Sequence, residues 1–435
     1  MIEILMHIQT KSGPKGRSIL IARDLTPSQT AEMDPSRIVA FCTAEGGPTS
    51  HTAILANALG IPAVVGMGEG FLEIEDETML LVDGTAGLVV SDPTSEMTAA
   101  FDGRIEAEAR QHEGEMATAF QPAVTTDGQS VEVAANVGNM QDARNALKYG
   151  AEGIGLLRTE FLFLHRSKPP DEKTQMSAYR SIFEMMGTHP IVVRTLDIGG
   201  DKEVPYYDFG SEANPFLGYR AIRISLEHAD EFKSQLRALL QAAKGHDMRL
   251  MFPMIATLDE FRQAKKLVEQ AGEELSSSGT DVMEGLQIGI MVEIPSVSIL
   301  ADRFASEVDF FSIGTNDLTQ YTMAAERGNK RLAHLNDPCH PAILRQIDQV
   351  VRAAHARGKW VGICGEMGGD PDAVPILLGL GVDELSMSAA RIPRVKQIIR
   401  KWSVADARQV ATRALELENA VDIRHLVNSS YPYLT

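Results

Sequence analysis

Apolar and polar residues alternate in two different ways along this chain. Up to about Pro93, short runs of β-branched residues are separated by glycine and Asp-Pro turns, with one helical stripe of apolar residues among them. This pattern predicts a small β/α domain over residues 17–94. Residues 1–16 do not share the pattern, and we interpret them as a lead-in or tag. Residues 95–121 are polar and alanine-rich, with Glu and Arg at helical spacing, which predicts a linker helix.

After the linker, eight short apolar runs are separated by longer stretches of helical periodicity. Eight parallel strands that alternate with helices over about 250 residues are typical of a (β/α)8 barrel. We therefore predict an α/β chain in which a barrel over residues 122–435 follows the small domain. An open doubly wound sheet is the alternative. The predicted strands are VEVAANV (131–137), GIGLLR (153–158), IVVRTLD (191–197), LMFPMI (250–255), IGIMVEI (288–294), FFSIGTND (310–317), VGICGE (361–366) and ELSMS (384–388).

Composition limits the classes of partner. The 435 residues include 41 basic and 59 acidic side chains, the formal net charge is -18, and no basic run stands out. This balance argues against a nucleic-acid surface or an anionic membrane surface. No apolar run approaches the ~20 residues that a membrane-spanning helix needs. The cysteines lack CxxC spacing and predict free thiols in a reducing cytoplasm: Cys42, Cys339 and Cys364.

The segment GGPTSHTAI (46–54) places His51 just ahead of a helical apolar stripe that ends at Gly60. We expect the imidazole at the N-terminus of a helix, where unpaired backbone N–H groups and the helix dipole favour a phosphate group. A histidine in that position can accept a phosphoryl group and be stabilised while it carries the group. The alternative is a histidine that only packs at the start of a helix.

Acidic side chains stand at the ends of two predicted barrel strands, where barrel enzymes carry their reactive residues. Glu293 ends the fifth predicted strand and Asp317 ends the sixth, so we expect the two carboxylates to converge. Such a pair suits Mg²⁺, which prefers oxygen ligands and completes its shell with water and phosphate. The alternative is that these residues form ion pairs along the barrel rim.

Four arginines are expected around the same mouth of the barrel. Arg158 and Arg194 lie on neighbouring strands, and Arg220 and Arg327 lie on loops that can fold over the mouth. Guanidinium groups bind carboxylate and phosphate through paired hydrogen bonds. Together with Mg²⁺ they predict a small ligand with several negative charges. Cys364 stands at the end of the seventh strand, where the alternative is an ordinary buried cysteine.

Phosphoenolpyruvate fits all of these groups. It carries a carboxylate and a phosphate, and loss of the phosphoryl group leaves an enolate that must be protonated on carbon to become pyruvate. The arginines and Mg²⁺ would hold the charges of the substrate. Cys364 would act as the proton donor, and His51 as the nucleophile that accepts the phosphoryl group.

With these residues assembled, the chain closely resembles the Enzyme I family, the phosphoenolpyruvate–protein phosphotransferases of the bacterial sugar phosphotransferase system. The match runs from about residue 18 to residue 400, and GGPTSHTAI resembles the phosphohistidine signature of the family. The other matching segments are GLLRTEFLF (155–163), RTLDIGGDK (194–202), NPFLGYRAIR (214–223), MVEIPS (291–296), IGTNDLTQY (313–321), ERGN (326–329), LNDPCHPA (335–342) and GICGEMGGD (362–370).

The resemblance implies a swivelling phosphohistidine domain, a barrel that binds phosphoenolpyruvate and Mg²⁺, and a cytoplasmic homodimer formed through the barrel. It implies that His51 is phosphorylated on the ring nitrogen far from the backbone and that Cys364 is the proton donor. Glu293 and Asp317 match the metal ligands of the family. The residues that match its substrate contacts are Arg158, Arg194, Arg220, Asn316 and Arg327.

Two departures from the family pattern concern delivery of the phosphoryl group. A helical subdomain that docks the small phosphocarrier protein normally precedes the phosphohistidine segment, and residues 1–16 do not resemble it. Pro48 and Asn57 stand where the commonest family pattern has arginines. The expected function is therefore transfer from phosphoenolpyruvate to His51, and onward transfer to a phosphocarrier protein in sugar uptake is left open.

Two other functions stay open at this point. Pyruvate phosphate dikinase and phosphoenolpyruvate synthase share the swivelling histidine and the barrel, although this chain shows no ATP-grasp domain. A non-catalytic relative would bind phosphoenolpyruvate as a sensor, but a sensor has no need of a proton donor. In the enzymatic alternatives His51 must reach the barrel mouth and then leave it, so we expect the helix at residues 95–121 and its ends to act as a hinge.

Overall fold

The computed structural model describes residues 18–25, 37–46, 61–84, 86–164, 166–200, 202, 204–207, 209–283, 285–327 and 329–430. The chain separates into two compact units, Met1–Gln111 and His112–Thr435. His51, Pro48 and Asn57 lie outside the described residues. Within the described part of the chain, no helix combines the length and the apolar character that a membrane crossing requires.

The first unit contains a parallel sheet and a β-hairpin. The parallel sheet has the order β1-β2-β3, and β4 pairs with β5 in the antiparallel hairpin. Because β2 is central, its residues Phe41 and Cys42 are fully buried, each in a core on one face of the sheet. The helix α1 (Ser95–Ala117) follows, and its Arg104 pairs with Asp83 at 2.7 Å. The strands are β1 (Ser18–Ala22), β2 (Ile38–Thr43), β3 (Ala63–Val64), β4 (Leu80–Asp83) and β5 (Leu88–Ser91).

The second unit is a closed barrel of eight parallel strands, which confirms the predicted fold class and shows that the open sheet is wrong. Every strand overlaps one of the predicted apolar runs, because strands buried on both faces read as continuous apolar segments. Pairing of the last strand with the first closes the barrel. The strands are β6 (Glu132–Val137), β7 (Ile154–Arg158), β8 (Ile191–Arg194), β9 (Met248–Phe252), β10 (Gln287–Val292), β11 (Phe310–Ile313), β12 (Trp360–Ile363) and β13 (Glu384–Met387).

Helices cover the barrel, and their buried faces form one core with the outward faces of the strands. Asn139, Asp171 and Thr257 cap three of them by accepting hydrogen bonds from first-turn N–H groups, and Glu260 completes a capping box with Thr257. The helices are α2 (Met140–Lys148), α3 (Glu172–Met186), α4 (Ile222–Glu227), α5 (Ala229–Ala242), α6 (Leu258–Ser277), α7 (Pro295–Ile299), α8 (Ala301–Phe304), α9 (Thr315–Met323), α10 (Pro341–His355), α11 (Val374–Leu380), α12 (Ile392–Ile399), α13 (Val404–Ala414) and α14 (Ala420–Ser430).

The barrel interior has an apolar layer that lies beneath the carboxyl ends of the strands. Side chains two positions further along a strand point to the same face, so Arg158, Arg194 and Glu293 stand directly above this layer. The apolar layer therefore separates those charged groups from the opposite end of the barrel. It consists of Leu156, Val192, Met251, Met291, Phe310 and Cys364.

Below the apolar layer, a cluster of polar side chains lies at the amino-terminal end of the barrel interior. Glu384 is buried there, and its Oε1 accepts no hydrogen bond from the described residues. The Arg249 guanidinium lies 5.0 Å from the ring of Trp360, which in turn stacks on Phe310. Burial, and then the charge of Glu132, raises the pKa of Glu384 to about 8. Glu384 is therefore a neutral acid at neutral pH.

We expect Glu384→Gln to remove a pH dependence of barrel stability. The native protein holds the Glu384 proton up to a pKa of about 8, whereas the unfolded chain releases it near the ordinary value of 4.5. The free energy of unfolding should therefore fall as the pH rises between these values, by up to ~1.4 kcal/mol per pH unit.

Urea unfolding of the barrel at about pH 5 and about pH 8 measures this slope. Asp247→Asn is the control, since Asp247 is an exposed carboxylate paired with Arg249 at the same end of the barrel. An unchanged slope in Glu384→Gln would contradict the prediction.

Candidate active site

The carboxyl ends of the barrel strands bring the predicted residues to one mouth. Arg158 ends β7 and Arg194 ends β8, and the two are partners in the strand register. Glu293 directly follows β10, and Asp317 lies in the first turn of α9 after β11. Cys364 directly follows β12. These side chains therefore come from five of the eight strands of the closed sheet, β7 and β8 on one side of β9 and β10, β11 and β12 on the other.

The two loop arginines and the asparagine reach the same mouth. Arg220 Nη1 and Arg327 Nη2 each donate to Asp317 Oδ1 at 3.4 Å. Asn316 Oδ1 accepts from the backbone N–H of Glu366 at 3.0 Å, which ties α9 to the loop after β12. Since this bond uses the amide oxygen, the NH₂ end of Asn316 is the group that can donate to a ligand. All of the predicted barrel residues thus share one site.

Asp197 is the centre of a buried ionic network beneath this mouth. Its carboxylate has no exposed surface and accepts from Lys202 Nζ at 2.9 Å and from Arg220 Nε at 3.0 Å. Arg194 Nη1 lies 3.0 Å from the same carboxylate. Burial opposes the charge of Asp197, but Lys202, Arg194 and Arg220 outweigh burial and hold its pKa well below the usual range. A permanently charged carboxylate therefore fixes the positions of three cations.

Glu160 holds the other side of Arg194. Its Oε1 lies 2.5 Å from Arg194 Nη2 and 3.0 Å from Lys202 Nζ. Burial opposes its charge, but Arg194 and Lys202 together lower the pKa of Glu160 to about 2. Arg194 Nε has no hydrogen-bond partner among the described residues, although it is buried. It is thus a fixed donor that a ligand can satisfy.

Glu293 and Asp317 form a pair of carboxylates beside this network. Glu293 is 1% exposed, and its Oε1 accepts from the backbone N–H of Met254 at 2.6 Å. Burial, and then the negative charges of Asp317 and Asp197, raise the pKa of Glu293 to about 7. A Cβ at Gly314 would lie 3.2 Å from Met291 Sδ and 3.3 Å from Glu293 Cβ, so a larger residue there would require one of these side chains to shift by a few tenths of an ångström. The local structure thus forces acidic groups together, and a cation would relieve their repulsion.

The Cys364 thiol points into the barrel interior next to these groups. Its Sγ donates to the carbonyl of Ile313 at 3.6 Å, and burial raises the pKa of the thiol to about 12. Asn136 Nδ2 donates to the carbonyl of Cys364 at 3.1 Å, and Asn136 Oδ1 accepts from Ser386 Oγ at 2.6 Å. The backbone of Cys364 is therefore held by Asn136 from β6, two strands away, and the thiol stays protonated at neutral pH.

Two family models match the chain in succession. The model described as "PEP-utilising enzyme, mobile domain" matches residues 14–87, and "PEP-utilising enzyme, PEP-binding domain" matches residues 112–404. The phosphoenolpyruvate-protein phosphotransferase of Geobacillus stearothermophilus is 50% identical over 414 residues, which are 95% of this chain and 72% of that protein. The Bacillus subtilis protein of the same name is 46% identical over 413 residues, with the same coverage of both chains, 95% and 72%. The chain belongs to the phosphoenolpyruvate–protein phosphotransferase family.

Membership in this family makes the chain an enzyme. The mobile-domain match includes His51, and the PEP-binding match includes the whole barrel site, from Arg158 to Cys364. The buried network, the carboxylate pair and the thiol therefore all belong to the part of the phosphotransferase that the family model describes as PEP-binding.

The residues present fit a magnesium ion. Glu293 and Asp317 offer oxygen donors only, and their mutual repulsion favours a cation between them. Among the described residues, no group of three or more His, Cys, Asp or Glu side chains is arranged to hold a metal. The remaining ligands of such an ion would therefore be substrate oxygens and water, which is the usual arrangement for Mg²⁺ in phosphoryl transfer.

Sequence reasoning missed several residues that build the site. Lys202 stands in the segment RTLDIGGDK with no feature that marks it out, yet it bridges Glu160 and Asp197. Asn136 and Ser386 are interior positions of β6 and β13 that looked like ordinary strand residues. The one available signal was their polarity, because two polar residues inside predicted barrel strands need partners there.

Proposed function

We propose that this chain transfers the phosphoryl group of phosphoenolpyruvate to His51 and releases pyruvate. We propose that His51 then passes the group to a phosphocarrier protein in sugar uptake. The observation that carries the proposal is the set of guanidinium groups held by charged, buried carboxylates around one mouth, next to a protonated thiol. The names of the relatives, phosphoenolpyruvate-protein phosphotransferase, support it.

In this proposal the arginines bind the substrate. Arg158, Arg194 and Arg327 face the mouth and would take the carboxylate and phosphate oxygens of phosphoenolpyruvate. Arg194 brings a buried Nε donor that has no partner in the part of the chain that the structure describes. Asn316 would add its NH₂ group. Arg220 contacts Asp197 and Asp317, so it supplies positive charge from below.

Glu293 and Asp317 would hold Mg²⁺ in this site. When bound, Mg²⁺ supplies positive charge to the phosphate oxygens and to the developing enolate. A bound cation would favour the charged form of Glu293, because its positive charge opposes the effect of the neighbouring carboxylates.

The transfer is a displacement followed by a protonation. A ring nitrogen of His51 forms a bond to phosphorus while the bond from phosphorus to the enol oxygen breaks, and the electron pair stays on that oxygen as an enolate. The Cys364 S–H then gives its proton to C3 of the enolate, which becomes pyruvate. The remaining thiolate regains a proton from water. The raised pKa of Cys364 keeps the donor protonated until this step.

We also propose that the enzyme works in the cytoplasm as a homodimer formed through the barrel. The support is the family resemblance of the barrel segments, together with the family match. Sedimentation of the purified chain tests the dimer, and a mass of one chain over the working concentration range would refute it.

Radiolabelled phosphoenolpyruvate tests the proposed function directly. We expect label on His51, located by mass spectrometry, with one pyruvate released per label and a requirement for Mg²⁺. Labelled ATP should give none, which separates this function from that of a dikinase or synthase. Label that persists in His51→Ala, or binding of phosphoenolpyruvate without release of pyruvate, would refute the proposal.

A further inference from the structure

Arg424, on the last helix α14, binds three aspartates from two different loops. Its Nε and Nη2 donate to the two oxygens of Asp337 at 2.8 and 2.9 Å. Nη2 also lies 2.9 Å from Asp370, and Nη1 donates to Asp372 at 3.3 Å. The guanidinium and all three carboxylates are half-buried, with 22–29% of each side chain exposed.

The first of these loops carries Arg327. Asp337 follows Asn336, whose Nδ2 donates to the carbonyl of Glu326 at 3.2 Å, and Arg327 is the next residue. Asp337 Oδ1 also accepts from the backbone N–H of Cys339 at 2.9 Å. Asp337 thus fixes the end of the loop between α9 and α10, and the Asn336 contact extends that fixed point to Arg327.

The second loop carries Cys364. Between this residue and Asp370 lies a single short turn, Glu366–Gly369, which ends when the backbone N–H of Asp370 donates to the carbonyl of Met367. Asp370 Oδ1 accepts from the backbone N–H of Asp372, so the two carboxylates that face Arg424 form one rigid group. A shift of Asp370 would therefore move the turn that follows the thiol.

The charges make this contact hard to replace. Without Arg424, three carboxylates from two loops would face each other with no cation from α14 between them, and their repulsion would separate the loops. The guanidinium fork contacts all three carboxylates at once, which a point charge such as an ammonium does less well. Arg424 itself touches neither Cys364 nor Arg327 in any hydrogen bond or ion pair found among the described residues.

We infer that Arg424 is a positioning residue for the reaction: it ties the loop that carries the substrate arginine Arg327 to the loop that carries the proton donor Cys364. The kinetic part of the test rests on the proposed function. The structural part, that Arg424 on α14 holds both loops, does not depend on the proposed function.

The test compares Arg424→Met with Arg345→Met. Arg345 lies on α10 and donates twice to the carbonyl of Leu415 near α14, so its loss loosens the same C-terminal helices without touching either loop. We expect single-turnover labelling of His51 in Arg424→Met to need more phosphoenolpyruvate for half-saturation and to reach a maximal rate roughly 10- to 100-fold lower, because small displacements at a reacting centre have effects of this size. In Arg345→Met the half-saturating concentration and the maximal rate should stay within about twofold of the unchanged protein. Both values for Arg424→Lys should lie between those of the unchanged protein and Arg424→Met.

Amide hydrogen exchange on the same proteins tests whether Arg424 holds the two loops. Faster exchange in the peptides that contain Cys339 and Met367–Asp372, in Arg424→Met but not in Arg345→Met, is the expected result, even if the protein takes no label from phosphoenolpyruvate. If Arg424→Met does not fold, Asp370→Asn breaks one arm of the same contact and should slow labelling in the same way. Equal slowing in Arg424→Met and Arg345→Met, unchanged rates, or unchanged exchange in both loops would overturn the inference.

Discussion

Replacing Asp197 by asparagine should destabilise the barrel and nearly abolish phosphoryl transfer. The substitution keeps the shape of the side chain and removes a charge that faces Lys202, Arg194 and Arg220 in a fully buried position. Breaking a buried ion pair from one side costs about 3–5 kcal/mol, because it leaves charge uncompensated. Glu160 shares Arg194 and Lys202, but among the described ion pairs it makes none with Arg220, so it cannot replace Asp197 there.

The effect on transfer follows from the same geometry. Arg194 and Arg220 hold their positions through Asp197, and without it they would move toward Glu160 and Asp317, the carboxylates that remain. We expect labelling of His51 from phosphoenolpyruvate to fall roughly a hundredfold, the size of effect seen when binding groups shift by about 1 Å. Raising the substrate concentration should not restore the rate, because the fault lies in the orientation of the bound substrate.

Acid provides an independent check on the cause. The pKa of Asp197 is lowered in the native state, so its stabilisation is present above the ordinary value of 3.8 and is lost as the pH falls through the native value. The stability difference between Asp197→Asn and the unchanged protein should therefore shrink below about pH 4. Asp281→Asn, which removes an exposed partner of Lys244, is the control and should change little. Full stability of Asp197→Asn at neutral pH would contradict the network model.

The barrel and most of its site could be predicted because both depend on patterns within short segments of the sequence. Parallel strands buried on both faces read as apolar runs, and their carboxyl ends carry the charged residues of a barrel enzyme. Arg158, Arg194, Glu293 and Cys364 each follow such a run, so their positions followed from strand order alone. Arg220 lies on a loop at the mouth as predicted, but its burial against Asp197 and Asp317, at 1% exposure, could not be read from strand order.

Contacts between distant parts of the chain could not be predicted in this way. Lys202 and Glu160 are 42 residues apart, Asn136 and Cys364 are 228 apart, and Arg424 lies 87 residues from Asp337. No periodicity connects such pairs, because their partners are chosen by the closure of the barrel. The polar cluster around Glu384 has the same origin, since it forms only when the first and last strands pair.

Replacing Cys364 by alanine should slow the formation of pyruvate by roughly 10²- to 10⁴-fold, the usual contribution of a positioned acid. The arginines and the carboxylate pair do not bind through the thiol, so half-saturation by phosphoenolpyruvate should change little. The rate of pyruvate formation in Cys364→Ser should lie between the rates of the unchanged enzyme and of Cys364→Ala, because a hydroxyl can donate a proton but is a weaker acid than a thiol. Cys42→Ala, a buried cysteine of the other unit, is the matched control and should behave as the unchanged protein.

The stereochemistry of protonation separates a lost acid from a disturbed site. In the unchanged enzyme the Cys364 thiol donates to the carbonyl of Ile313, and Asn136 holds the backbone carbonyl of Cys364, so we expect the proton to reach one face of the enolate. With phosphoenolpyruvate that carries one hydrogen and one tritium at C3 in a defined arrangement, turnover in heavy water should then add deuterium from one side and give a chiral methyl group in pyruvate. In Cys364→Ala the enolate should leave unprotonated and take its proton from either face in solution, which gives racemic product. A chiral product from Cys364→Ala would show that another group donates the proton, and the role assigned here to the thiol would be wrong.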